Sequence, residues 1–168
     1  HTTENFSERI ESISNISSDA SNLERINRWN SAIELAKERP IAGWGPGTYS
    51  FVYAPFQDAS DLTIISTNFG TGGNAHSEYL GPLAEQGITG MVLMLLLVFF
   101  IFYRASILFI RLEDPKLKRI VMMLLLGLVT YFTHGILNNY LDTDKASIPV
   151  WGFISIIVAI DLLSLIHI

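Results

Sequence analysis

The chain contains no cysteine, which excludes disulfide staples and thiolate metal sites and leaves the redox compartment open. It also has no lysine- or arginine-rich tract, and its formal net charge is −5, so no basic patch for nucleic acid is expected. Its four histidines, His1, His76, His134 and His167, are scattered and form no HExxH pattern, so no metal site is expected. Gly43, Gly45 and Gly47 lack the GxGxxG spacing and follow a helical pattern rather than a strand, which rejects a dinucleotide fold. Ser77 has no GxSxG elbow, and its neighbour His76 falls on a different helix face, so a serine hydrolase is not expected either. No signal-peptide pattern is present and the first residue is His1 rather than Met, so the chain reads as the C-terminal part of a longer protein.

What is present divides the 168 residues into two unlike halves. Residues 1–87 hold eleven acids and five bases and no long apolar run, whereas residues 88–168 hold eleven charges and three apolar runs. The runs cover about 88–110, 120–137 and 148–166, each near the ~20 residues a helix needs to cross a bilayer core. Burying three such runs inside a soluble protein of this size is difficult, so the expected class is an all-α, polytopic membrane protein. The first connection carries Arg104, Arg111, Lys116, Lys118 and Arg119, and the second carries Lys145 against Asp142 and Asp144. The bias of basic residues toward the cytoplasm places the first connection inside. Residues 1–87 and the second connection then lie on the outer, periplasmic face, away from nucleotides. The closing LSLIHI resembles translated adapter sequence, and His167 is given no role.

In the outer segment, Ser21 and Glu24 have capping-box spacing, and a helix is expected from about Asn22 to Arg39, stopped by Pro40. Its apolar stripe is Leu23, Ile26, Ile33 and Ala36. Arg25, Arg28 and Trp29 fall within one turn; the arginines are either solvated or paired on a phosphate, which guanidinium groups hold by two parallel hydrogen bonds. The turn IAGWGPGTYSF either aims backbone N–H groups at an anion or simply reverses the chain at a membrane surface. Residues 50–74 read as an irregular loop with aromatics, and the sequons at Asn5 and Asn15 have no supporting context. A short helix is expected around His76, with Asn74 as N-cap, a kink at Pro82 and a stop at Gly87. His76 has the ordinary pKa for proton transfer near neutral pH, with Ser77 and Glu78 beside it; a surface histidine without chemistry is the alternative. His134, inside an apolar run, is either functional or bonded to a neighbouring helix.

The order R-I-N-R-W (Arg25–Trp29), P-I-A-G-W-G-P-G-T-Y (Pro40–Tyr49), then H-S followed after nine residues by G-I-T-G resembles the O-antigen ligase/polymerase family. His76, Ser77, Gly87 and Gly90 fill that family's histidine motif, and the resemblance covers roughly residues 20–158. It implies a GT-C-like fold and a metal-independent glycosyltransferase without cofactor. The implied donor is a glycan on undecaprenyl diphosphate, and the implied acceptor is lipid A–core, another glycan or a protein hydroxyl, at the periplasmic face of the bacterial inner membrane. By the same resemblance His76 is the base or the group that orients the acceptor, and Arg25, with Arg28 as rival, meets the diphosphate; the family's second arginine lies upstream of this chain. Ser77, Glu78, Asp142 and Asp144 are the further candidates for substrate contact; Asp142 or Asp144, on a loop that emerges on the same side as His76, orients His76 or contacts the acceptor sugar, the alternative being a solvated turn between two helices. Gly43, Gly45, Gly47, Gly87 and Gly90 are motif glycines. A repeat polymerase and a protein O-oligosaccharyltransferase remain alternatives, as does a transporter or lipid-binding protein that binds without transfer.

Overall fold

The computed structural model describes residues 20–63, 66, 73–141 and 143–166. The two sequons, most of the 64–72 stretch, Asp142, the side chain of Asp144, and His167 lie outside the described residues. All regular structure among the described residues is helical: α1 (Ala20–Glu38), α2 (Tyr49–Val52), α3 (Leu80–Arg111), α4 (Pro115–His134) and α5 (Asp144–Ile166), with two short 3-10 turns at Ala54–Phe56 and Ala59–Asp61. The chain forms two compact units, one of residues up to His76 with Leu80–Gly90, the other of Ser77–Tyr79 with Met91–Ile168.

In the first unit, α1 is built from good helix formers with no glycine or proline inside it, and it ends two residues before Pro40. Of the expected apolar stripe, Ala36 alone belongs to its buried face. Glu24, Asn27, Arg28, Ser31, Ala32, Leu35 and Ala36 are buried, while Ile33 is 38% exposed. The polar members are tolerated because each finds a partner. Asn27 brackets the backbone of Asp58, donating to its carbonyl at 3.3 Å and accepting its N–H at 2.8 Å. Ser31 donates to the carbonyls of Asn27 and Phe56 at 2.8 and 3.2 Å. The capping box is corrected too: Ser21 lies inside the helix, and the Glu24 carboxylate is buried on other partners.

The glycine turn packs backbone to backbone against the start of α3. Trp44 and Gly45 donate to the carbonyls of Ala84 and Glu85 at 3.3 and 2.7 Å. The Glu85 carboxylate then accepts N–H bonds from Gly47 at 2.8 Å and Tyr49 at 3.0 Å. The turn is therefore an anion cradle, and its anion is supplied by the chain itself. Gly43, Gly45 and Gly47 all have positive φ, at 62°, 112° and 73°. Helix α3 is interrupted at Gly87 (φ 68°, ψ −162°), and the N–H of Ile88 turns to the Pro40 carbonyl at 2.8 Å. Pro82 falls in the first turn of α3, where no N–H is needed, so the break is at Gly87 rather than at the proline.

In the second unit α3, α4 and α5 are each long and apolar enough to cross a membrane, over Leu80–Arg111, Pro115–His134 and Lys145–Leu165. Asp114 caps α4 by accepting the Lys116 N–H at 2.8 Å, and Pro115 takes the first helical position. Ala105, Leu108, Val121, Leu128, Phe132 and Ile157 form the shared core, while Leu93, Phe99, Met123 and Leu163 point outward, as in helices whose solvent is lipid. Asp161 of α5 accepts from Arg104 and, at 2.5 Å, from Arg111 of α3, so these charges inside the helices are paired. His134 ends α4 and meets Asn138 at 3.2 Å while stacking on Tyr140, in place of the expected bond to another helix.

Glu78 belongs to this unit and organises the loop between α4 and α5. Its Oε1 accepts from the Tyr131 hydroxyl at 2.5 Å and from the N–H groups of Tyr140 and Leu141 at 2.6 and 2.9 Å. Its own N–H donates to Gly135 O at 2.8 Å, and a Cβ on Gly135 would lie 2.8 Å from its Cγ. Removing a buried charged acceptor of this kind costs about 3 kcal/mol. Glu78→Ala is therefore expected to speed hydrogen exchange at the Tyr140 and Leu141 amides by more than about tenfold. Unchanged protection there would show that the carboxylate does not hold the loop.

Candidate active site

The site assembles in the first unit, where α1 supports the segment Gly73–His76. His76 is held at φ 47°, a left-handed conformation uncommon for a residue with a side chain. Two bonds fix it there. Its N–H donates to Asn74 Oδ1 at 3.1 Å, and its carbonyl accepts from Trp29 Nε1 at 3.1 Å. Asn74 thus closes a local turn on the histidine; the helix itself starts later, with Tyr79 at its N-cap.

Arg28 is the buried strut beneath this segment. Its Nε donates to Glu24 Oε1 at 2.7 Å, one helical turn back, and its Nη1 donates to the Asn74 carbonyl at 3.3 Å. Its guanidinium lies over the Tyr53 ring at 5.2 Å from the centroid. A Cβ on Gly73 would fall 2.1 Å from Arg28 Nη1, so a side chain at this position would displace the guanidinium. Tyr49 donates its hydroxyl to the Arg28 carbonyl at 2.8 Å, and burial pushes its phenol far above the usual range, keeping it a donor. Glu24 completes the group by accepting from the Ser66 hydroxyl.

These surroundings set the state of His76. Burial, then the positive charges of Arg28 and Arg25, lower its pKa below the usual 6.5, and Glu24 opposes them. At neutral pH the imidazole is therefore uncharged and able to accept a proton. The two arginines are not equivalent. Arg28 is neutralised by Glu24, whereas Arg25 has no ion-pair partner among the described residues and is partly exposed.

Of the residues singled out from sequence, His76, Arg25 and Arg28 come together in this unit. Ser77 and Glu78 pack with the other unit, where Ser77 is buried and its Oγ accepts the Tyr79 N–H at 3.3 Å. Gly43, Gly45 and Gly47 shape the turn around Glu85; Gly87 marks the break in α3, and a Cβ on Gly90 would meet Gln86 Cβ at 2.4 Å. Sequence reasoning missed Glu24, Asn74 and Glu85 as site builders. The available signals were the four-residue spacing of Glu24 and Arg28 and the Asn-x-His turn. Among the described residues no three His, Asp or Glu side chains are grouped so as to hold a metal ion.

The O-antigen ligase family model matches residues 3–95, more than half of the chain, including Arg25, the glycine turn and the whole stretch from His76 to Gly90. No curated protein and no solved structure matches the chain. With that match and three helices able to cross a membrane, the chain belongs to the O-antigen ligase family of membrane glycan-transferring enzymes.

Proposed function

We propose that the protein moves a glycan from undecaprenyl diphosphate to a hydroxyl of lipid A–core, another glycan or a protein, at the periplasmic face of the bacterial inner membrane. The observation that carries this reading is the pairing of a half-buried His76, its pKa lowered by burial, with two arginines on the adjoining helix, Arg28 paired with Glu24 and Arg25 without an ion-pair partner among the described residues. The acceptor hydroxyl gives its proton to the His76 imidazole as its oxygen attacks the anomeric carbon. The bond from that carbon to the diphosphate breaks, and Arg25 offsets the charge gathering on the leaving group. No step in this scheme draws on a metal. The basic residues Arg111, at the end of α3, and Lys116, Lys118 and Arg119, at the start of α4, support a cytoplasmic position for that connection, with residues 1–87 outside. Ligase, polymerase and protein-linked versions of the reaction share this chemistry and differ in the acceptor.

The pH dependence of transfer by the full-length protein tests the assignment. A base acts only when unprotonated, so turnover should hold through neutral pH and fall on an acid limb below 6.5, in line with the lowered pKa of His76. Arg25→Ala removes one of the charges that depress that pKa, so its limb should move upward while turnover drops by about 10²-fold. An Arg25→Ala protein with wild-type turnover and limb moves the diphosphate role elsewhere. Donor binding with no transfer at any pH identifies a binding protein instead.

A further inference from the structure

Glu24 is a buried carboxylate that the reaction scheme does not use. A lone buried charge on a helix is costly, and this one is placed where it serves the site rather than the helix. It binds Arg28 Nε at 2.7 Å, and Arg28 in turn binds the Asn74 carbonyl at 3.3 Å, while the Asn74 side chain accepts the His76 N–H at 3.1 Å. On its other side it accepts from the Ser66 hydroxyl. The relay runs unbroken from Glu24 to the backbone of His76 within one compact unit.

We propose that Glu24 is a positioning residue for the transfer reaction: it locks Arg28 as the strut under residues 73–76 and leaves Arg25 as the arginine of α1 without an ion-pair partner among the described residues. The proposal rests on the reading of His76 as the base. Without Glu24, the Arg28 guanidinium loses its counter-ion and the oxygen that orients its Nε edge, and it is free to compete with Arg25 for the donor's diphosphate. The charged groups that act on His76 among the described residues are Arg28, Arg25 and Glu24, and of these only Glu24 favours the protonated ring.

The test uses the full-length protein in membranes with Glu24→Gln, which keeps the shape and removes the charge. Turnover is expected to fall about 10²-fold with a smaller change in KM for the lipid-linked donor, since misplacing a reacting group by about 1 Å costs that much. The acid limb should move to lower pH, because the one favourable charge is gone. Ser66→Ala, which removes a single hydroxyl, should shift turnover in the same direction by about twofold to fivefold. NMR titration of the His76 ring supplies a readout independent of turnover: its midpoint should drop in Glu24→Gln whether or not His76 is the base. Wild-type turnover and an unmoved His76 midpoint in Glu24→Gln overturn the proposal. If instead His76 variants transfer glycan normally while the midpoint still drops, the base assignment fails and the electrostatic role of Glu24 stands.

Discussion

Gly87→Ala is expected to lower the stability of the protein by about 4 kcal/mol or more, a large share of the 5–15 kcal/mol typical of a folded domain. Gly87 has φ 68° and ψ −162°, a region open essentially to glycine alone, and the conformation by itself costs a residue with a side chain about 1–3 kcal/mol. Overlap adds to this: a Cβ would lie 2.5 Å from the backbone carbon and oxygen of Ile41 and 2.6 Å from Pro40 O. Those atoms cannot retreat, because Pro40 O accepts the Ile88 N–H at 2.8 Å and Ile41 O accepts the Thr89 hydroxyl at 2.9 Å. Gly47→Ala is the internal comparison, since Gly47 also has positive φ but nothing lies within 4 Å of the added Cβ. It should cost only about 1–2 kcal/mol. Thermal unfolding of the two variants side by side measures the difference, and equal midpoints would show that the close packing at Gly87 does not matter.

That contact also explains what the sequence motif was reporting. The spacing from Ser77 to Gly87 was legible, but its physical content was not: the interval sets Glu85 where it can fill the glycine turn, and Gly87 where the helix must break beside Pro40. The existence of α1 and of the three long helices was readable because each rests on local propensity, proline stops or sustained apolarity. Their ends were less so. Helix α3 starts at Leu80, ahead of the apolar run, and α4 ends at His134, before Leu137. The buried face of α1 was misread because hydrophobic spacing cannot see polar residues satisfied from afar. Asn27 is buried by Asp58 and Arg28 by Asn74, 31 and 46 residues away. Glu24 looked like a capping carboxylate for the same reason. An acid–base pair at i, i+4 such as Glu24 and Arg28 can form the buried face of a helix in place of an apolar stripe.

The central claim is that the uncharged imidazole of His76 takes the acceptor's proton. A general base contributes about 10²–10⁴-fold, so removing the ring should lower glycan transfer by that factor. The choice of replacement matters because His76 sits at φ 47°. Alanine pays for that conformation, whereas asparagine visits it readily and keeps the bonds from the His76 N–H to Asn74 and from Trp29 to the His76 carbonyl. His76→Asn therefore separates loss of the base from loss of the fold, with His76→Ala alongside it. The decisive measurement is glycan attachment by full-length His76→Asn protein, normalised to the amount stably inserted in the membrane. The account predicts a fall of about 10²-fold or more with donor binding retained; near-normal attachment by a stably inserted variant would contradict it.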